Sequence, residues 1–348
     1  MAASWYNGGM RKLLFPLLLL LGVLFIISRL AELETIGRTL RQANPRYLVL
    51  AFGVQMLWFL NAGLNLRWIY RALGLKESLL RLTLLSVAAS FTNVVAPAGG
   101  MTGMAVYVSE AQRQRYSPVR ATVAGMLYFW SEYVGFLAVL ALGIIVLIRR
   151  NNLHTPEIVA SALMGLLVFG LGTLLYLGMH SARQLGAVLA FAARAINAVL
   201  RPFLHRPYLS EERAHHFAHD AQAGLRTLGQ KPKIMLVPLL LGLTSKLLLL
   251  LVLLLSFRAY QVPYSPGTIV AGFSIAYLFL IISPTPSGIG VVEGLLTVGL
   301  NSMYVPLGQA AIVALTYRAV TFWVPLLLGP AAFRLLDHLP GPGPTLSR

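Results

Sequence analysis

The stretch SPTPSGIGVVEGLL, residues 283–296, sets a carboxylate, Glu293, just behind prolines and glycines that interrupt an apolar run. A carboxylate in that place can do two compatible things. With Gly290 as the N-cap, Glu293 falls at the third helical position and can reach back to an orphan backbone amide. It can also balance a cation in a polar cavity. Three further charges lie inside apolar runs: Glu132 in LYFWSEYVGF, Lys246 in LLLGLTSKLLLLL and Arg318 in ALTYRAVTFW. Ionised groups at such depth are costly, and they pair with one another or face water-filled space. Lys246 sits at the centre of its run and snorkels poorly from there, so it needs a partner or water. For Glu132 and Arg318 the structural expectation is a mutual ion pair. The functional expectation is contact between Arg318 and a lipid phosphate, balanced by Glu132 or Glu293.

The breaks are candidate binding elements in their own right. Pro97, Gly99 and Gly100 in NVVAPAGG, and Pro286, Gly288 and Gly290 in the second stretch, release backbone groups from helical pairing. Such groups cannot face lipid, so each break must be buried in protein or line a polar cavity. The half-helices that follow would present amide donors and a partial positive charge, suited to an anion such as a phosphate. Asn93, shortly before Pro97, is placed either to hold the broken backbone or to touch ligand.

The elements that position these residues are membrane helices. The chain is 57% hydrophobic and only 11% charged, and its net charge of +17 comes from Lys and Arg between the apolar runs. Basic loops of this kind record topology and attract anionic head groups. Nucleic-acid binding is not expected. The absence of cysteine rules out disulfides and thiolate chemistry. The start resembles a signal peptide without a cleavage site and reads as a retained span.

Full spans are expected at about 13–30, 47–66, 121–148, 157–179, 234–256 and 308–333. Residues 79–109 and 267–305 behave differently, each a helix, a Pro/Gly break and a short helix, and read as re-entrant hairpins; for 267–305 the alternative is that both arms, of about 17 residues each, cross fully, which charge parity does not separate. Charge counting supports this: if the first hairpin returns to its own side, the basic segment 180–233 shares a side with Arg67, Arg71, Arg113 and Arg115. The breaks also match each other in Pro-x-Gly and in a following Tyr-x-Pro, at Tyr116/Pro118 and Tyr304/Pro306. Entering from opposite sides, they would form an inverted repeat with a binding site between broken helices. The fold expected is an all-α polytopic membrane protein, one membrane domain over 1–348. It would comprise a first hairpin plus span (79–148), a basic amphipathic cytoplasmic linker (180–233) and a second hairpin plus span (267–333).

No Walker loop, nucleophile elbow, zincin motif or paired-carboxylate set appears, and no cofactor is expected. His215 with His219 and His216 with Asp220 have spacings that metal ligands use, but they belong to the basic linker and no metal is expected.

NVVAPAGG with its neighbouring spans, and SPTPSGIGVVEGLL with ALTYRAVTFWVPLLLG, resemble the flippase-like membrane region of bacterial lysylphosphatidylglycerol synthases. The resemblance covers nearly the whole chain. Pro286, Gly288, Gly290, Glu293 and Arg318 stand where the family pattern has Pro, Gly, Gly, Glu and Arg. It implies a flippase or scramblase-like transporter of an anionic phospholipid or polyprenyl-phosphate lipid in the inner membrane, with both termini cytoplasmic. The alternative is a subunit that presents lipid to an enzyme. The soluble aminoacyl-transferase domain of the synthases has no counterpart, so the chain is not expected to make lysyl lipid by itself. A second copy of the chain or a lipid-modifying enzyme are the protein partners considered. The substrate-binding set read from the sequence is therefore Asn93, Pro97, Gly99, Gly100, Glu132, Lys246, Pro286, Gly288, Gly290, Glu293 and Arg318.

Overall fold

The structure, a computed structural model, describes residues 36–95, 101–204, 210–230, 232–283, 288 and 290–339. In chain order its helices are α1 (Pro45–Ala72), α2 (Leu79–Val95), α3 (Met101–Arg113), α4 (Pro118–Arg149), α5 (Thr155–His180), α6 (Ala182–Leu204) and α7 (Glu211–Gln230). They continue as α8 (Leu236–Ala259), α9 (Pro266–Ile282), α10 (Val291–Asn301), α11 (Leu307–Arg318) and α12 (Val324–His338). A π-helical stretch, Ala319–Trp323, joins the last two.

Boundaries follow local chemistry. Asn44 caps α1 by accepting from the Arg46 amide at 3.1 Å, and Ser265 caps α9 by accepting from the Thr268 amide at 3.1 Å. In both, proline takes the first helical position, where its missing N–H is not needed.

Among the described residues, five segments are long and apolar enough to cross a membrane: α1, α4, α5, Lys233–Ala259 and the continuous Leu307–His338. These match five of the expected spans; the sixth, 13–30, lies outside the described residues. The arms of the hairpins are shorter. α2 and α9 have 17 residues each, α3 has 13 and α10 has 11. At 1.5 Å per residue they rise about 25, 20 and 17 Å, less than the roughly 30 Å hydrocarbon core.

Contacts at the hairpin bases show that each returns to the side it left. The Tyr116 hydroxyl, just after α3, donates to the Lys76 carbonyl, just before α2, at 2.7 Å. On the opposite side, Arg150, at the end of α4, donates to Ser265 at 2.8 Å, and Asn152 donates to Ser302 at 2.8 Å. The loop after α4 thus touches both ends of the second hairpin. Since α4 starts beside the first hairpin and ends beside the second, the hairpins enter from opposite faces.

Each half of the chain therefore reads long span, short arm, short arm, long span. The lengths are 28, 17, 13 and 32 residues, then 24, 17, 11 and 32. The repeat begins one span earlier than the Pro/Gly motifs alone indicate. Its turn register also differs by one residue from the Tyr-x-Pro match. The left-handed residue that ends each short arm is Arg115 (φ 58°) in one copy and Tyr304 (φ 68°) in the other, so Tyr116 and Tyr304 are not equivalent.

Close helix crossings use small residues, as expected where lipid supplies no hydrophobic drive between helices. A Cβ on Gly135 of α4 would lie 2.5 Å from the Gly242 carbonyl carbon of α8, so backbone meets backbone there. Outside the bundle, α6 and α7 pack on one another. α7 reaches the side of the first hairpin base, with Gly224 against Arg120 and Leu73.

At that base, buried Arg81 bridges the arms to Glu110 at 2.8 Å and donates to the Leu339 carbonyl at 3.1 Å, while Arg113 pairs with Asp337 at 2.7 Å. The end of α12 is thereby fastened to the first hairpin, which confirms that Leu307–His338 crosses to that face. This layout is directly testable in a cysteine-free chain. Single cysteines at Lys76 and Gln112 should react with an impermeant maleimide from one face of sealed vesicles, and cysteines at Pro263 and Ser302 only from the other.

Candidate functional site

Residues flanking the breaks of both hairpins reach the same space. A cavity of about 230 Å³ is walled by α1, α2, α4, α8, α9, the start of α10 and the stretch from Tyr317 to Pro325. Ser90, Asn93 and Val94 bring the tip of the first hairpin to it, and Ile281, Ser283 and Val292 bring the tip of the second.

Two ion pairs, one buried and one part-buried, organise the wall. Lys246, fully buried on α8, holds Glu132 Oε2 on α4 at 2.6 Å and the Tyr277 hydroxyl at 2.7 Å, with its ammonium 4.5 Å from the Tyr277 ring centre. Glu132 Oε2 also accepts from Ser245 at 2.8 Å, and Ser245 accepts from the Trp58 indole at 2.9 Å. The local sequence explains why the pair forms. Glu132 and Gly135 lie one turn apart on α4, as do Gly242 and Lys246 on α8, so the glycine crossing brings the two charged faces within reach.

The second pair joins Arg318 Nε to Glu293 Oε1 at 2.8 Å. Gly290, with φ of 75°, is the N-cap of α10 and sets Glu293 at the third helical position, as the sequence indicates. Among the described residues, however, Glu293 makes no bond back to the Gly290 amide, and its Oε2 has no hydrogen-bond partner. Its carboxylate is turned to the guanidinium. Arg318 itself sits 4.8 Å over the Phe322 ring, immediately before the π-helical stretch. Pro325 cannot donate to the carbonyl of Thr321, and opening the helix to a π turn accommodates that loss. The distortion re-aims the residues around Arg318.

One expectation is corrected. Glu132 and Arg318 do not pair with each other; each has its own partner. They stand at similar depth in their spans, but Glu132 faces α8 while Arg318 faces the half-helix that precedes its own span.

Asn93 holds the broken backbone. Its Oδ1 accepts from the Gly103 amide at 2.7 Å and from the Thr102 hydroxyl at 2.9 Å, tying α2 to the first turn of α3. Asn93, Glu132 and Arg318 line the cavity, and Lys246 and Glu293 support the latter two from behind. Gly288 and Gly290 both take positive φ, at 67° and 75°. Pro97, Gly99, Gly100 and Pro286 lie outside the described residues.

The sequence reading missed Gln55, Trp58, Ser245 and Tyr277. Gln55 and Trp58, one turn apart on α1 and both on the cavity wall, were visible as an amide and an indole on one face of a span. Among the described residues no group of three metal-ligating side chains occurs.

An all-helical membrane protein with oppositely entering hairpins around a polar cavity is the class that fold and site define. Comparison with known proteins gives the family. The family described as "Lysylphosphatidylglycerol synthase TM region" matches residues 13–329, and the chain belongs to it. A UPF0104 membrane protein of Methanothermobacter thermautotrophicus is similar, 23% identical over 318 residues that cover 90% of this chain and 91% of that one.

The Glu132–Lys246 pair makes a stability prediction. Lys246→Met leaves a buried carboxylate uncompensated and should cost about 3–5 kcal/mol. Adding Glu132→Gln to it should return about half of that loss, because no net charge is then buried. Thermal unfolding of the purified variants measures both.

Proposed function

We propose that this protein moves a phosphate-bearing lipid between the leaflets of the cytoplasmic membrane, as a flippase or scramblase. The observation that carries this reading is that arms of two oppositely entering hairpins line one cavity with Asn93, Glu132 and Arg318 on its wall. A head group held there is adjacent to the start of α10, whose amides and dipole favour an anion. Arg318 can exchange its bond to Glu293 for phosphate oxygens, since a guanidinium donates equally well to either acceptor. Tilting one hairpin or the other would open the cavity to one leaflet or the other, while the tails remain in lipid. The basic side, with Lys76, Arg113 and α6–α7, is the cytoplasmic one on this reading, so cysteines at Lys76 and Gln112 are the shielded pair in intact cells.

The family name favours one other reading. A membrane region named for a synthase can hold lipid for an enzyme without moving it. The two readings part in reconstituted liposomes. A transporter accelerates leaflet exchange of a fluorescent anionic phospholipid or prenyl phosphate; a presenting subunit binds the same lipid and leaves exchange at the protein-free rate.

Glu293→Gln separates working pair from cap. Glutamine serves equally well at the third helical position, so a cap alone predicts no change. Loss of the charge opposite Arg318 should instead slow exchange about tenfold, the effect of losing one charged hydrogen bond. Unchanged exchange together with unchanged thermal stability would defeat this role.

A further inference from the structure

The phosphate reading leaves part of the cavity unused. Gln55, only 1% exposed, lines the cavity, and its Oε1 has no hydrogen-bond partner among the described residues. Glu132, 5% exposed, lines the same cavity; its Oε2 is taken by Lys246 and Ser245, but among the described residues its Oε1 has no partner. Buried polar atoms in folded proteins are nearly always hydrogen-bonded, so two such acceptors on one cavity wall point to something that donates to them. A relay of hydrogen bonds also links Glu132 to the helix that carries Gln55. Trp58 lies one turn from Gln55, its indole donates to Ser245, and Ser245 donates to Glu132. The rings of Trp58, Tyr133 and Tyr277 complete this part of the wall.

Charge decides which donor fits. The Glu132 carboxylate already has an ammonium 2.6 Å away, so the cavity meets a compensated pair. An amine bound at Oε1 would bring a second cation close to Lys246, with no charge left to balance it. A further anion would meet the carboxylate itself. A neutral hydroxyl meets neither obstacle. The amide of Gln55 adds the complement, because it can accept from one hydroxyl and donate to another. An amide and a carboxylate on the wall of one cavity, among aromatic faces, therefore suit hydroxyls on a carbon framework.

We propose that Gln55 and Glu132 form a subsite for the hydroxyl groups of a polyol or sugar carried on the lipid phosphate. Building on the phosphate-lipid reading above, this narrows the substrate class to phospholipids or prenyl phosphates whose head group ends in hydroxyls, as opposed to amines or alkyl groups.

Retention at equilibrium tests the subsite without requiring transport. The full-length protein is equilibrated in mixed micelles with equal amounts of four lipids of identical acyl chains: phosphatidylpropanol, phosphatidylglycerol, phosphatidylinositol and phosphatidylethanolamine. Native mass spectrometry then reads what remains bound. Phosphatidylpropanol carries the same single charge as phosphatidylglycerol but no head-group hydroxyl. The glycerol and inositol lipids should be retained at least about fivefold over phosphatidylpropanol and phosphatidylethanolamine, the selectivity that one added hydrogen bond supplies. In Gln55→Leu the ratio of phosphatidylglycerol to phosphatidylpropanol should fall to about one. Equal retention of phosphatidylpropanol and phosphatidylglycerol by the unaltered protein overturns the subsite, as does preference for phosphatidylethanolamine. So does an unchanged ratio in Gln55→Leu. Hydroxyl selectivity without leaflet exchange keeps the subsite and removes only transport; exchange without selectivity does the reverse.

Discussion

A lysine that cannot reach water dictates much of this architecture. Lys246 lies in the middle of a leucine-rich span with no exposed surface, and an unpaired ammonium there would be prohibitively costly. Its partner must come from another helix, and that helix must approach closely. The crossing of Gly135 and Gly242 meets this demand, bringing α4 against α8 and delivering Glu132 to the ammonium. Tyr277 on α9 closes the third side. The contact between the first half of the chain and the second is thus fixed at mid-membrane by a charge pair and two glycines. Apolar packing alone discriminates poorly there, because lipid tails are as apolar as the side chains.

Against that fixed crossing, the second ion pair has a different character. Glu293 and Arg318 join a half-helix of 11 residues to the span that follows it, next to a π-helical distortion. The first pair links two full spans, whereas the second links a hairpin to its neighbour. A change in hairpin tilt would disturb the second pair while leaving the first intact. The bases of both hairpins are fastened as well, by Arg81, Glu110 and Asp337 on one face and by Arg150, Ser265 and Ser302 on the other. The bases are thus held, and the cavity lies at the far ends of the arms.

Much of this was legible from residue types. Proline and glycine inside long apolar runs have no stable place against lipid, so both breaks, the first hairpin and the position of Glu293 behind Gly290 followed from the sequence; that the second pair of arms turns back came from the contacts of Arg150 with Ser265 and Asn152 with Ser302. Partner choice did not follow. Glu132 and Arg318 occupy similar depths in corresponding spans, and depth was the only coordinate the sequence supplied. Pairing depends on the direction each side chain takes around its helix, and the Gly135–Gly242 crossing turns Glu132 toward Lys246. Gln55 escaped notice because an uncharged amide raises no alarm in a span, and Arg81 and Glu110 read as ordinary loop charges. The preceding spans α1 and α8 carry no motif that marks them as part of the repeat; only their lengths and packing do.

Cross-linking the two hairpin tips tests the mobile cavity most directly. Ser90 and Ser283 both line it, from opposite hairpins, and a chain without cysteine accepts a cysteine at each position as its only thiols. After reconstitution, a reducible bis-maleimide bridging the two tips should stop leaflet exchange of an anionic lipid, and cleavage of the linker should restore it. Each single-cysteine protein treated in the same way should keep exchanging. Full exchange with the tips joined would contradict a cavity that works by hairpin movement.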